Sequence, residues 1–143
     1  MVRIITGQQN QILEVEPQFR SSNTNIIIRS ERSKQAILAT LADTELQRIL
    51  DAAMFNSKSV NQIIKDTRIA HTTAYRKIGW LLDEKLLVVD KIDITEDGKK
   101  TSLYRTVLKS FNVRYEYNNV VIGAEQNFDT LKKITEKFFS LDR

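Results

Sequence analysis

The chain contains no cysteine. That excludes a disulfide scaffold and any thiolate metal site, and it fits a cytoplasmic protein. Histidine is almost absent: His71 stands alone, and one histidine makes no metal site without other strong ligands. No apolar run approaches membrane-spanning length, and the first residues carry no signal-peptide pattern. A membrane partner is therefore not expected. Signatures of catalysis are missing too. There is no glycine-rich phosphate loop, no nucleophile elbow and no helix with zinc-binding histidine spacing. Asp83, Glu84 and Asp90 cluster in sequence, but without such a context they read as ordinary charged surface. The expectation is a protein that is not an enzyme and carries no metal and no cofactor.

What is present is a chain of 143 residues with 41% hydrophobic content, enough for a compact core and by default one domain. The net charge is only +4 and the pI is near 9.4. A nucleic-acid partner must then be argued from where the charge sits. Between Asn56 and Arg105, ten Lys and Arg stand against seven Asp and Glu, an excess that a solvated surface would also explain.

The most informative stretch is Ser59 to Leu87, SVNQIIKDTRIAHTTAYRKIGWLLDEKLL. Ser59 and Gln62 have the spacing of a capping box, and Val60, Ile63 and Ile64 then share one face. Thr67-Arg68-Ile69-Ala70 is the predicted turn, with Ile69 filling the angle between helices. A second helix should run from His71 or Thr72 to about Lys85. Ala74, Ile78, Leu81 and Leu82 form one buried stripe, and Thr72, Arg76, Gly79 and Asp83 point away from it. Thr73, Tyr75 and Trp80 flank them. This is a helix-turn-helix, in which one helix props and the next enters the major groove. Gly79 has two readings, close approach to a DNA or wing backbone and simple tolerance. Trp80 reads as packing against the wing or a neighbouring helix.

Around this motif the pattern predicts further elements. Ile37, Leu38 and Leu41 mark a helix from about Ser33. Asp43 can cap another, in which Leu46, Ile49, Leu50 and Ala53 make a stripe. After the motif, Val88, Ile92 and Ile94 share a parity, which predicts a half-buried strand. Glu96-Asp97-Gly98-Lys99-Lys100 is a turn in which Gly98 is free to take positive φ, and Leu103 to Leu108 returns. Phe111, Val113, Tyr115 and Tyr117 alternate with polar residues as a strand does, and Val120-Val121-Ile122 continues it or begins another. Residues 1–32 read as an extended arm in which Ile26-Ile27-Ile28 is strand-like. A terminal helix from about Asn127 to Ser140 carries Phe128, Leu131, Ile134, Phe138 and Leu141 on an apolar edge. That edge either closes the monomer's own core or pairs with its mate in a dimer. The fold class expected is α+β: a winged helix-turn-helix over 33–110, preceded by the arm, and followed over 111–143 by further strand and a dimerising C-terminal helix.

The segment from Ser33 to Lys109 resembles archaeal winged-helix transcriptional regulators of the broad ArsR-like class. The residues that carry the resemblance are Leu41-Ala42-Asp43 before Arg48-Ile49-Leu50, then Ile69-Ala70-His71-Thr72-Thr73-Ala74-Tyr75-Arg76-Lys77-Ile78, then the wing run Gly98-Lys99-Lys100-Thr101-Ser102-Leu103-Tyr104-Arg105. The resemblance implies that the stretch from Thr72 to Lys77 enters the major groove, that the wing tip lies on phosphates, and that two copies form a homodimer. Metal-sensing members use cysteine, or clustered histidine and acidic ligands, which this chain lacks.

The expected function is sequence-specific binding of double-stranded DNA by a homodimeric transcriptional regulator. Base contacts are assigned to Thr72, Thr73, Tyr75 and Arg76, since arginine pairs bidentately with guanine and threonine serves bases or phosphates. Backbone contacts are assigned to Lys58, Ser59, Arg68, His71, Lys77, Lys99 and Lys100. Each has a plainer reading as a solvated surface residue. Two alternatives stay open: a winged-helix protein-interaction module of the transcription machinery, and an RNA-binding winged helix.

Overall fold

A computed structural model of the protein describes residues 25–127. The chain before residue 25 and the terminal segment bearing Phe128, Leu131, Ile134, Phe138 and Leu141 lie outside the described residues. In chain order come strand β1 (Asn25–Ile28), helices α1 (Glu31–Leu41), α2 (Thr44–Ala52), α3 (Val60–Thr67) and α4 (His71–Asp83), and strands β2 (Leu87–Ile94), β3 (Lys100–Thr106), β4 (Leu108–Glu116) and β5 (Asn119–Gln126). The fold is mixed α and β, with four helices and antiparallel strands among the described residues. None of these helices is long and apolar enough to cross a membrane.

Local chemistry sets the helix starts. The Ser30 side chain accepts from the Ser33 amide, so α1 begins at Glu31, two residues ahead of the start expected at Ser33. Asp43 accepts from the amides of Glu45 and Leu46 at 2.9 and 3.1 Å and opens α2. Ser59 and Gln62 form the reciprocal capping box of α3. A Ser, Asp or Thr cap of this kind is worth roughly 0.5–2 kcal/mol.

The apolar stripes of all four helices converge on one core. Ile37, Ile49, Ile63, Leu81 and Leu87 are fully buried in it, together with Ile122 from β5. Leu46, Leu50 and Ala53 complete the α2 stripe, and Ile69 seals the angle between α3 and α4.

Two sheets flank the helices. β4 and β5 form a hairpin joined by Tyr117-Asn118, and β1 pairs antiparallel with β5, giving the order β1-β5-β4. Val120 to Ile122 therefore begins a new strand. Ile26, Ile28, Ile122, Ala124, Phe111 and Val113 lie on the sheet face turned to the core. At the end of β5 the Asn127 side chain donates to the Met54 carbonyl (3.0 Å) and to the Thr106 hydroxyl (3.1 Å), fixing this sheet to α2 and to β3.

β2 and β3 form the other, two-stranded sheet, the hairpin that occupies the place of a wing. The parity predicted for it fails. Ile92 and Ile94 are 58% and 65% exposed, whereas Asp90 is 4% exposed. A bulge is the reason. Val89 faces Tyr104 and Lys91 faces Leu103, so Asp90 is an extra residue. It turns inward, where the Ser57 hydroxyl donates to its carboxylate. Beyond the bulge the strand changes face. Val89, not Val88, shares a side with Ile92 and Ile94, and the outer hairpin extends past the body with that side open.

Candidate nucleic-acid interface

The turn between α3 and α4 is held by three neighbours. Arg68 adopts the left-handed region (φ 60°, ψ 24°), and its amide donates to the Ile64 carbonyl at 2.8 Å. The Thr67 hydroxyl donates to Ile63 (2.8 Å), and Arg48 from α2 donates to the Thr67 carbonyl (3.0 Å). With Ile69 buried behind it, this turn fixes the direction in which α4 leaves.

α4 buries Ala74, Ile78 and Leu81 and half-buries Leu82. His71, Thr72, Tyr75 and Arg76 are exposed on the first turns, with Thr73 half-buried at their edge. No acidic side chain stands in the first turn. The rings of His71 and Tyr75, one helical turn apart, lie 4.9 Å between centroids, so the histidine and the phenol present one joined surface. Arg76 has no ion-pair partner among the described residues. A Cβ added at Gly79 would meet open space, so that glycine marks no close approach within the protein. Asp83 is exposed at the far end.

One feature escaped the sequence reading. α1, α2 and α3 each have a side-chain cap, but α4 starts at Ala70 with none. Its first amides are thus left without a side-chain acceptor, and the positive end of its dipole points out beside Thr72. The signal was available as an absence of Ser, Thr, Asp or Asn at position 70.

The assigned backbone contacts divide. Arg68 is exposed at the turn. Lys99 and Lys100 are exposed at the tip of the hairpin. There the Gly98 amide donates to Thr95 (2.9 Å), and Gly98 itself sits at φ 82°. The Thr95 hydroxyl donates to the Asp97 carboxylate and holds its pKa below the usual carboxylate range. Asp97 is therefore turned back on its own turn, leaving both lysines clear. Lys58 is half-buried at the foot of the hairpin, exchanges backbone hydrogen bonds with Tyr104, and pairs with Asp66 at 2.5 Å.

Two of the assigned side chains are already engaged within the fold. Ser59 is buried, and its hydroxyl is used as the α3 cap. Lys77 is spent inside the fold. Its side chain is 12% exposed, and its ammonium pairs with Asp43 at 2.5 Å and Glu45 at 3.1 Å. The hydrogen bond that the Lys77 ammonium donates to the Asp43 carboxylate raises the Lys77 pKa and lowers that of Asp43. The residue sits beside the buried stripe of α4, facing the start of α2, so it orients the helix and is not free to reach a phosphate. Arg32 does a similar job at the other end, reaching from α1 to the Glu84 carboxylate through two hydrogen bonds of 3.0 and 3.1 Å.

No protein-family model matches the chain, and no curated protein matches it. One solved structure with a likeness is the homodimeric winged helix-turn-helix DNA-binding domain (fragment 1–100) of Mb0332 from Mycobacterium bovis, a possible ArsR-family transcriptional regulator. It is 22% identical, with 55% of this chain and 72% of that chain covered and a TM-score of 0.35. A likeness of that size bears on neither the ligand nor the assembly of this protein.

Proposed function

We propose that this protein is a sequence-specific, double-stranded DNA-binding transcriptional regulator that works as a homodimer. The observation that carries the reading is the outer face of α4. Its first turns present His71, Thr72, Tyr75 and Arg76, with no acidic residue among them, at a helix start without a side-chain cap. Such a surface suits the edge of a base pair beside a phosphate. Arg76 would take the O6 and N7 of a guanine, and Thr72, Thr73 and Tyr75 the neighbouring base edges. The free amides at the start of α4 would hold a phosphate, with His71 and Arg68 on either side. Lys99 and Lys100 would follow the backbone from the hairpin tip, and Lys58 would do so from its foot after releasing Asp66.

The dimer follows from the size of the footprint. One module buries roughly 600–1,000 Å² against DNA and reads a short half-site. Two copies on half-sites about one helical turn apart give useful specificity. Selection of sites from random duplexes with the purified full chain tests the whole reading. A palindromic consensus, bound more weakly as salt rises, is the expected result. A pool that shows no enrichment sinks it.

A second reading has one observation in its favour. Val89, Ile92 and Ile94 line one open side of the hairpin, an apolar surface that suits a protein better than a phosphate chain. Stable capture of a transcription protein, with no enriched duplex, would support that reading instead.

A further inference from the structure

β4 is an edge strand of nine residues, and among the described residues no strand pairs with one of its two sides. The hairpin turn fixes which backbone groups lie on that side. Tyr117 and Asn118 both have positive φ (50° and 62°), so Glu116 and Asn119 close a two-residue type I′ loop and bond to each other. Antiparallel ladders alternate. Glu116, Arg114 and Asn112 therefore spend their backbone groups on β5, and Tyr115, Val113 and Phe111 aim theirs outward. Among the described residues no backbone hydrogen bond reaches them from that side.

Long free edges are normally protected by proline, bulges, charge or cover. The outer hairpin is protected, with Lys91, Asp93, Glu96, Asp97, Lys99 and Lys100 along it. β1 offers only four residues. β4 has no proline, its single bulge lies at its start, between Leu108 and Ser110, and its charges are Lys109 beside that bulge and Arg114 and Glu116, which pair with each other at 3.4 Å on the face turned from the core. On the core-facing side, Phe111 and Val113 are half-buried and Tyr115 is 67% exposed. Aromatic side chains are thus left partly uncovered beside unpaired backbone.

We propose that this edge pairs with the same edge of a second copy, antiparallel about a two-fold axis at Val113, joining two three-stranded sheets into one of six. The register follows from charge and shape. With the axis at Val113, Phe111 stands opposite Tyr115 of the second copy, and Arg114 stands opposite Asn112. Roughly six hydrogen bonds close across the seam, two for each outward-facing pair. Moving the axis to Arg114 sets two guanidinium groups against each other. Moving it to Asn112 sets Tyr115 against Lys109 and breaks the aromatic pairing. The inference rests on the homodimer reading above and gives that dimer its interface.

The chain's lack of cysteine makes the test direct. A residue on the axis meets its own copy, and Cα atoms of a hydrogen-bonded antiparallel pair lie about 5.5 Å apart, within disulfide range. Val113→Cys in the full chain should give a covalent dimer on mild oxidation. Tyr117→Cys, at the 96% exposed hairpin tip, should do so far more slowly. Asn112→Arg sets like charges together twice and should weaken the dimer about tenfold in sedimentation. Adding Arg114→Glu should restore it, with circular dichroism confirming that each variant folds. A monomeric wild-type chain, a dimer that Val113→Cys does not link, or equal linking by Tyr117→Cys overturns the proposal. Site selection run alongside separates the two claims. A palindrome bound by a dimer that Val113→Cys fails to link leaves the regulator standing and moves the interface, with the segment from Phe128 to Leu141 next in line. A linked dimer that enriches no duplex leaves the interface standing and removes DNA.

Discussion

Arg68 brings backbone strain and candidate DNA contact together in one residue, so a single substitution should push stability and binding in opposite directions. It holds φ 60° at the turn between α3 and α4, with an exposed side chain. For an L-residue that region costs about 1–2 kcal/mol, because Cβ crowds the following carbonyl. Arg68→Gly removes that cost. It also gives the unfolded chain more freedom, which offsets about 0.5–1 kcal/mol. The net expectation is a gain of about 0.5–1 kcal/mol, or a rise of a few degrees in Tm. Lys85 is the control. It too is left-handed, at φ 64°, where the Leu86 amide donates to Leu81 and the Lys85 amide to Leu82, closing α4 in a Schellman arrangement. Lys85→Gly should stabilise by a similar amount. The DNA assay separates the pair. If Arg68 neutralises a phosphate, its loss lowers the slope of log affinity against log salt by about 0.9, whereas Lys85→Gly leaves the slope alone. Urea denaturation gives the stabilities, and fluorescence anisotropy across a salt series gives the slopes. A destabilised Arg68→Gly beside a stabilised Lys85→Gly would mean that the Arg68 side chain holds the fold together, and the strain argument for the turn would be refuted.

Arg76→Ala should cost about 1–3 kcal/mol on the selected site and relax discrimination at one base position; an equal loss on every duplex would reassign Arg76 to phosphate. Replacing Lys99 and Lys100 together with Ala should lower the salt slope by about one to two units and leave base preference intact, and an unchanged slope would take the hairpin tip off the backbone. Asp43 is tested by pH. Lys77 holds its pKa below the ordinary value of 3.8, so the pair contributes stability above that value and loses it as pH falls through the depressed one. Asp43→Asn keeps a good cap and should flatten the acid limb of a stability–pH curve. Asp43→Ala should lose the cap as well, about 0.5–2 kcal/mol at neutral pH. Equal behaviour of the two variants in urea at pH 7 would show that the cap contributes nothing.

What the sequence made legible was local. The capping box of Ser59 and Gln62, the cap at Asp43, the stripe of Leu46, Ile49, Leu50 and Ala53, and the wing turn at Gly98 each depend on residues within a few positions of one another. Their chemistry is visible in one dimension. The outer face of α4 followed from helical geometry alone. What stayed hidden depends on distant partners. Nothing near Asp90 announces a bulge, because the hydroxyl that draws it inward belongs to Ser57. Lys77 looks like any basic residue on a recognition helix until Asp43 and Glu45 arrive beside it from another helix. The strand at Ile26 to Ile28 could be named but not its neighbour, which lies almost a hundred residues further on in β5. The turn at Tyr117 gave weak warning, since tyrosine seldom takes positive φ.

The division of labour on α4 has a consequence for reprogramming. The side chains that fix the helix, Ala74, Lys77, Ile78 and Leu81, are different from those that face outward, His71, Thr72, Tyr75 and Arg76. The two sets interleave along the helix without sharing a member. A library randomised at the four outward positions alone would leave the anchor to α2 and the buried stripe untouched. Its members should differ in which surface they present and agree in where they present it.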